Sequence, residues 1–545
     1  MQRVGFQFLK RHALACAAVA LVGVSTALPS YSAEPVLSGK ELINNKCASC
    51  HAAQGDGRWF RISDGRRTPE GWDMTVARMG YAHGVKLTTE ERQQVVKYLA
   101  DNFGLAPSET AEHRYILERR PNFIEKPGHA LVDNTCARCH SAARIAVQRR
   151  TEDDWRRLVN FHVGQFPSIE YSAGGRDRNW FDIASKDVAQ LLGRLNGYES
   201  SAWSEWKSAP AADPSGRWRL AGYRPGWGAY EGEAEIRRSA EGEDRYELRT
   251  TLRYADGRSE TAQGRSIVYG KHEWRASLKL ADGTPVQQVL SIAPGGRRMS
   301  GRWFLAEQDV LGGDLVAVRA DAQAPAAVLS VSPAALRAGS TQQLAIHGAN
   351  LAGDIVLGPD LRVVKVVSRD ADKVVLEVAA RAGARDGRRS VRVGEAQLAD
   401  GLSVYRKLDY LKVEPEHPMT RLGGNGGSRA PMPAQLEAVG YAVGPDGKRG
   451  TRDDVRIGAL PAQWSLENLT PAAAEMGDTD FAVGRMEPNG LFWPASAGPN
   501  PKRKFGTNNA GELKATARVT DGARVLSGSV PLFVTVQRWN DPPIR

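Results

Sequence analysis

Apolar positions recur at helical spacing through the first two hundred residues and alternate one in two along most of the rest. Leu87-Thr88-Thr89-Glu90-Glu91 runs on to Val95, Val96, Tyr98 and Leu99, which predicts a helix capped by Thr88 or Thr89. Ile183, Val188, Leu191, Leu192 and Leu195 are spaced for one buried helical face. From Ser201 the texture changes. Pro210, Asp213, Pro214 and Ser215 form a polar break, and alternating runs follow at 216–220, 246–252, 274–280, 286–292 and 301–304. These predict an antiparallel barrel or sandwich. Two further alternating modules follow, from 327 to about 405 and from 408 onward, joined by Gly- and Asp-rich turns. The expected fold is multidomain: a mainly α N-terminal domain over 34–207, then three all-β domains. The first, 208–325, is an antiparallel barrel-like domain; 326–407 and 408–545 are immunoglobulin-like sandwiches.

A chain of 545 residues exceeds one hydrophobic core, which agrees with several domains. Arg3, Lys10 and Arg11 precede an apolar run over 13–28, with a processing site after Ala27 or Ala33. The run is short for a bilayer span, so 1–33 is expected to be a signal peptide and the mature protein periplasmic. No later segment is apolar enough to cross a membrane. The formal charge of +11 includes three positive charges in that signal, leaving about +8. Lys and Arg alternate with Asp and Glu rather than forming a stripe, which argues against a nucleic-acid partner.

Five cysteines are present, and Cys16 leaves with the signal. The other four belong to Cys47-Ala48-Ser49-Cys50-His51 and Cys136-Ala137-Arg138-Cys139-His140. Two thiols at this spacing add to the vinyl groups of one haem, and the adjoining histidine reaches the iron. A redox dithiol does not need that histidine, and zinc does not need it at the same offset twice. Two covalently bound c-type haems are therefore expected. With every mature cysteine engaged, neither a cysteine nucleophile nor a cysteine-derived quinone can form within this chain.

The second ligand of each iron lies further along. Trp72 is followed seven residues later by Met79, and Trp155 seven residues later by His162. The similarity suggests a duplicated unit in which a loop delivers the distal ligand and a C-terminal helix closes the pocket. The assignment is His51 with Met79 and His140 with His162; His83, then Met74, are the rivals of Met79. A thioether favours ferrous iron more than a second imidazole, so the two haems are expected to differ in potential. His113 and His129 are expected to be surface or supporting residues, His347 structural, and the tryptophans of the first β domain packing groups. The stretch from Asp446 to Asp454 resembles a calcium loop only loosely, and 486–494 could be either a contact surface or a hairpin. No nucleophile elbow, zinc-protease helix or phosphate loop occurs.

The order and size of these modules resemble the α subunit of quinohaemoprotein amine dehydrogenases. Arg217-Trp218-Arg219-Leu220-Ala221-Gly222-Tyr223, Gly226-Trp227-Gly228 and Gly301-Arg302-Trp303-Phe304 are similar to that family's first β domain. The resemblance implies work beside a seven-bladed β-propeller subunit and a small subunit bearing cysteine tryptophylquinone. Primary amines are oxidised there to aldehydes and ammonia, and electrons pass through the dihaem subunit to a blue copper protein or cytochrome c. It also implies one bis-histidine and one histidine–methionine haem. Two other functions remain open on the sequence: a free-standing dihaem carrier with β docking modules, and a dihaem peroxidase.

Overall fold

The computed structural model describes residues 37–425 and 429–536, so the expected signal at 1–33 lies outside the described residues. The N-terminal part is helical. Ser38 caps α1 (Gly39–Lys46) in a capping box with Glu41. Thr68 caps α2 (Pro69–His83), which has Pro69 at its start and ends at the left-handed Gly84. Of the two candidate caps for α3 (Thr89–Asn102), Thr88 is the one used, again in a box with Glu91. The second half repeats the plan with α4 (Ala130–Asp133), α5 (Glu152–Gln165), capped by Thr151, and α6 (Ala189–Leu195), entered through a π-helical turn at Ile183–Val188. Leu42, Ile43, Trp72, Val95, Val96 and Leu99 form the core of the first half. Val132, Trp155, Val188, Leu191 and Leu192 form that of the second.

The halves meet through two short antiparallel strands, β1 (Gly65–Arg67) and β2 (Gln148–Arg150), with Arg66 opposite Arg149. Each strand runs into a distal helix through the same words, Arg-Arg-Thr-x-x-x-Trp, at 66–72 and 149–155. Their details match. Trp72 Nε1 donates to the Phe103 carbonyl at 2.9 Å, and Trp155 Nε1 to the Asn196 carbonyl at 3.2 Å. Phe103 and Asn196 are the residues that end α3 and α6. Equivalent residues thus face each other across the ladder, and the duplication is a local two-fold.

Eight strands from Gly216–Arg224 to Gly312–Arg319 pair each with the next, and the last closes on the first, making a barrel. Along Arg245–Tyr254, Tyr246, Leu248, Thr250, Leu252 and Tyr254 alternate inward. Trp218, Trp274 and Trp303 fill the interior, a packing role that accounts for the richness in tryptophan. Arg275 on the barrel pairs with Glu70 in the first turn of α2 and with buried Glu273, which also takes Arg114. The barrel therefore anchors a distal helix of the helical domain.

Residues 327–405 form two four-stranded sheets whose facing sides share Leu344, Ile346, Val374, Leu376, Val391 and Val393. Buried His347 sits in one of these strands, with burial pushing its imidazole down to about 4, so it is neutral and structural. The last region has sheets of three, four and three strands around Phe492, Leu513, Ala515 and Leu532. It is not purely β. Pro471–Glu475 and Asp478–Phe481 are short helices, the first started by Thr470 accepting from the Ala473 N–H with Pro471 at the first helical position. The stretch at 486–494 is the turn and return strand of a hairpin, with Phe492 wholly buried rather than offered to a partner.

Candidate haem centres

Both Cys-x-x-Cys-His segments leave a helix as a tight turn. Cys47 ends α1, and its carbonyl accepts from Cys50 N at 3.1 Å and from His51 N at 2.9 Å. Cys136 N donates to Val132 at 2.8 Å, and Cys139 N to Cys136 at 3.3 Å. In each, the first thiol is half-buried, the second exposed, and all four are free. Burial, then the neighbouring Cys139, pushes the Cys136 thiol up to about 11; burial and Cys50 raise that of Cys47. Among the described residues no three His, Cys, Asp or Glu side chains converge as a metal cluster. Two thiols beside one imidazole are the donor set that covalent haem attachment uses.

Backbone carbonyls orient the imidazoles. His51 Nδ1 is 3.0 Å from the Phe60 carbonyl, His140 Nδ1 3.0 Å from that of Ser141, and His162 Nδ1 2.7 Å from that of Leu158. With Nδ1 as donor, Nε2 is the nitrogen free to bind iron. Burial lowers the pKa of His140, favouring the neutral form a ligand requires.

The His140 and His162 rings are neighbours, with centroids 6.4 Å apart and planes 36° from parallel. Metal–imidazole bonds of about 2.0 Å on both sides of one ion give a centre-to-centre separation of about 6 Å, so this pair fits a bis-imidazole iron. Trp180, a residue the sequence pattern did not single out, lies 6.4 Å from His162 and donates from Nε1 to the Thr135 carbonyl. A loop closes over the second motif, held by Arg138 on Asp177 at 2.8 and 2.9 Å and on the Ala173 carbonyl at 3.2 Å. Gly174 comes close to the motif there: a Cβ would collide with Cys139 Sγ, so any larger residue would displace that thiol.

Met79 and His162 stand at the same place in the duplicated unit, eleven residues beyond the caps Thr68 and Thr151. Both are carried by helices, α2 and α5, where loops were expected. The capped first turns carry each helix straight through these positions, and a helix fixes a side chain more rigidly than a loop. Met79 is half-buried on the side of Trp72 and Val76, whereas His83 is the exposed last residue of α2 and Met74 is half-buried. His129 accepts from the Leu131 N–H at 3.2 Å and so caps α4.

Two carboxylates hold the two-fold together. Like charges opposite one another across a ladder repel. Buried Glu109 bridges them, taking Arg66 through two bonds of 2.9 Å and Arg149 at 3.2 Å. On the other face Asp154 takes Arg150 and, at 3.7 Å, Arg67. The arginine repeat was legible in the sequence as the paired Arg-Arg-Thr words, but neither acid is duplicated. The loosely calcium-like loop is closed on itself: Asp454 accepts from Gly444 N, Gly450 N, Thr451 N and Tyr410 OH.

Family models for quinohemoprotein amine dehydrogenase match almost the whole chain. Residues 37–203 match the alpha subunit's haem-binding model, 212–320 its domain II, 325–406 its domain III and 411–544 its domain IV. No curated protein matched. Among solved structures, a redesigned beta barrel is 11% identical with a TM-score of 0.17, covering 20% of this chain and 95% of that one. Mouse clustered PcdhgC3 EC1-3 is 10% identical with a TM-score of 0.16, covering 44% and 77%. Likenesses this slight say nothing about function.

Proposed function

This chain belongs to the quinohaemoprotein amine dehydrogenase α-subunit family, and from that premise we propose that its helical domain holds two covalent haems with unequal distal ligands. The chain is the electron-relaying subunit of an amine-oxidising oxidoreductase. Cys136 and Cys139 would attach the haem ligated by His140 and His162; Cys47 and Cys50 would attach the one ligated by His51 and Met79. The observation that carries this reading is the His140–His162 ring pair at 6.4 Å. The equivalent position of Met79 on α2 supports the same role for it in the first unit. Haem iron supplies one-electron chemistry, and a thioether ligand raises its potential relative to a second imidazole. The protein's own contribution is to fix both imidazoles through backbone carbonyls and to close the second site with the loop at Gly174.

No catalytic residue for amine oxidation is assigned to this chain. All four cysteines outside the signal serve haem, so the cysteine tryptophylquinone belongs on a small partner subunit, beside a β-propeller subunit in a heterotrimer. A blue copper protein or cytochrome c would take the electrons. Covalent haem attachment outside the cytoplasm and the basic–apolar start at 1–33 support a periplasmic location, and no helix among the described residues is long and apolar enough to cross a membrane. Domain limits at 34–207, 208–325, 326–407 and 408–545, the last two as immunoglobulin-like sandwiches, complete the reading. Low-temperature electron paramagnetic resonance of the complex tests it. Two low-spin ferric signals are expected, one lost in His162→Ala and the other in Met79→Ala. An unchanged spectrum in Met79→Ala overturns that ligand.

A further inference from the structure

On the face of the β1–β2 ladder away from Glu109, two guanidinium groups share one carboxylate and a third lies nearby. Arg67 and Arg150, each 8% exposed, share Asp154. Arg67 stacks on Trp72 at 4.4 Å, and Arg150 on its counterpart Trp155 at 5.5 Å. The third cation is Arg78, lying over Phe161 at 4.3 Å. Arg78 and Phe161 occupy equivalent positions on α2 and α5, immediately before Met79 and His162, so this contact links the two distal ligands across the two-fold. Burial holds the acidity of Arg67 and Arg150 away from the usual range, and the charge of Arg78 adds to it at both.

The cluster holds one anion, Asp154, for its three cations. Arg67 Nη1 is fully buried without a hydrogen-bond partner. An uncompensated buried cation is costly, and an unpaired buried donor adds its desolvation penalty. Neighbouring acids are engaged elsewhere: Asp73 on α2 by Arg92, Glu152 and Asp153 on α5 by Arg156, and Asp64, in the turn before β1, by Arg157. Three cations and one carboxylate, on the helices that carry Met79 and His162 and the strands that lead into them, leave an excess of positive charge that a carboxylate from outside the polypeptide would balance. Each haem brings two.

We propose that the Arg67–Arg78–Arg150 cluster receives propionate carboxylates of haem at the junction of the two units, pairing them through the unpartnered Arg67 Nη1 and the Arg78 guanidinium. This rests on the dihaem reading above. The cluster then stabilises ferrous haem by its positive charge and ties the propionates to the helices that carry both distal ligands.

The test uses the full complex with Arg78→Gln, Arg78→Lys and Arg67→Gln, each checked for two attached haems by mass. In Arg78→Gln the ferric-to-ferrous ratio of one haem at fixed ambient potential is expected to rise about tenfold, about 59 mV for a one-electron couple. The resonance Raman band of propionate bending, which reports hydrogen bonding to the carboxylate, is expected to shift with it. Arg78→Lys restores the potential, and Arg67→Gln moves both readouts in the same direction as Arg78→Gln. A propionate band unmoved in Arg78→Gln with both haems attached overturns the proposal, whatever the potential does. If Arg67→Gln fails to accumulate, the half-buried Arg78 variants decide. Wild-type complex with fewer than two haems would instead sink the dihaem reading.

Discussion

Glu109→Gln should be the most damaging single-atom-scale change in the helical domain. Arg66 is wholly buried, Glu109 is 8% exposed, and the carboxylate accepts from both Arg66 nitrogens, from Ser200 Oγ and from the Ala106 N–H. Arg149 reaches the same group. The amide removes the charge and replaces one acceptor by a donor that faces guanidinium. Breaking one partner of a buried pair costs about 3–5 kcal/mol because the other charge stays buried. With a denaturant slope of about 4 kcal/mol per molar guanidinium, the midpoint should fall by about 1 M. The assay is guanidinium unfolding of the full chain followed at the haem Soret band, which reports this domain and not the β domains. The sign with pH is fixed. Burial alone would raise the Glu109 pKa, but Arg66 and the Ala106 N–H bring it below the ordinary 4.5. Its contribution is therefore complete above about pH 4.5 and is lost as the pH falls through the lowered folded value. The wild-type-minus-variant difference should shrink over that acid range. A midpoint shift below about 0.2 M at pH 7 would refute the idea that Glu109 neutralises the two-fold.

Gly174→Ala should lower haem attachment at the second motif, since the added methyl meets Cys139 Sγ; intact mass should show chains lighter by one haem, and full occupancy would count against the close approach. Glu125→Gln should perturb the second haem alone. Its carboxylate accepts from Ser141 Oγ at 2.7 Å, Ala142 N at 2.9 Å and Ala143 N at 3.1 Å, and so fixes the Ser141 carbonyl that orients His140; the signal lost in His162→Ala should broaden or shift while the other stays. Calcium at millimolar concentration should leave thermal unfolding unchanged, because Asp454 is saturated by four donors; a stabilised chain would show that the loop opens to bind the ion.

The two Cys-x-x-Cys-His segments and the split between a helical head and β domains followed from local pattern, because a spacing motif and strand alternation both act over a few residues. The equivalence of Met79 with His162 was also legible, through the seven-residue offset from Trp72 and Trp155. Tertiary structure decided what depends on contacts far apart in the chain. It placed the proposed distal ligands on helices rather than loops, the helices starting at Thr68 and Thr151 directly after the paired strands β1 and β2. It buried Phe492, which the sequence left open as a contact residue. It also brought Glu109 and Asp154 to opposite faces of one ladder, where each serves arginines from both halves. A duplicated sequence can announce that two units exist, but the acids that join them occur once each, so only folding reveals the junction.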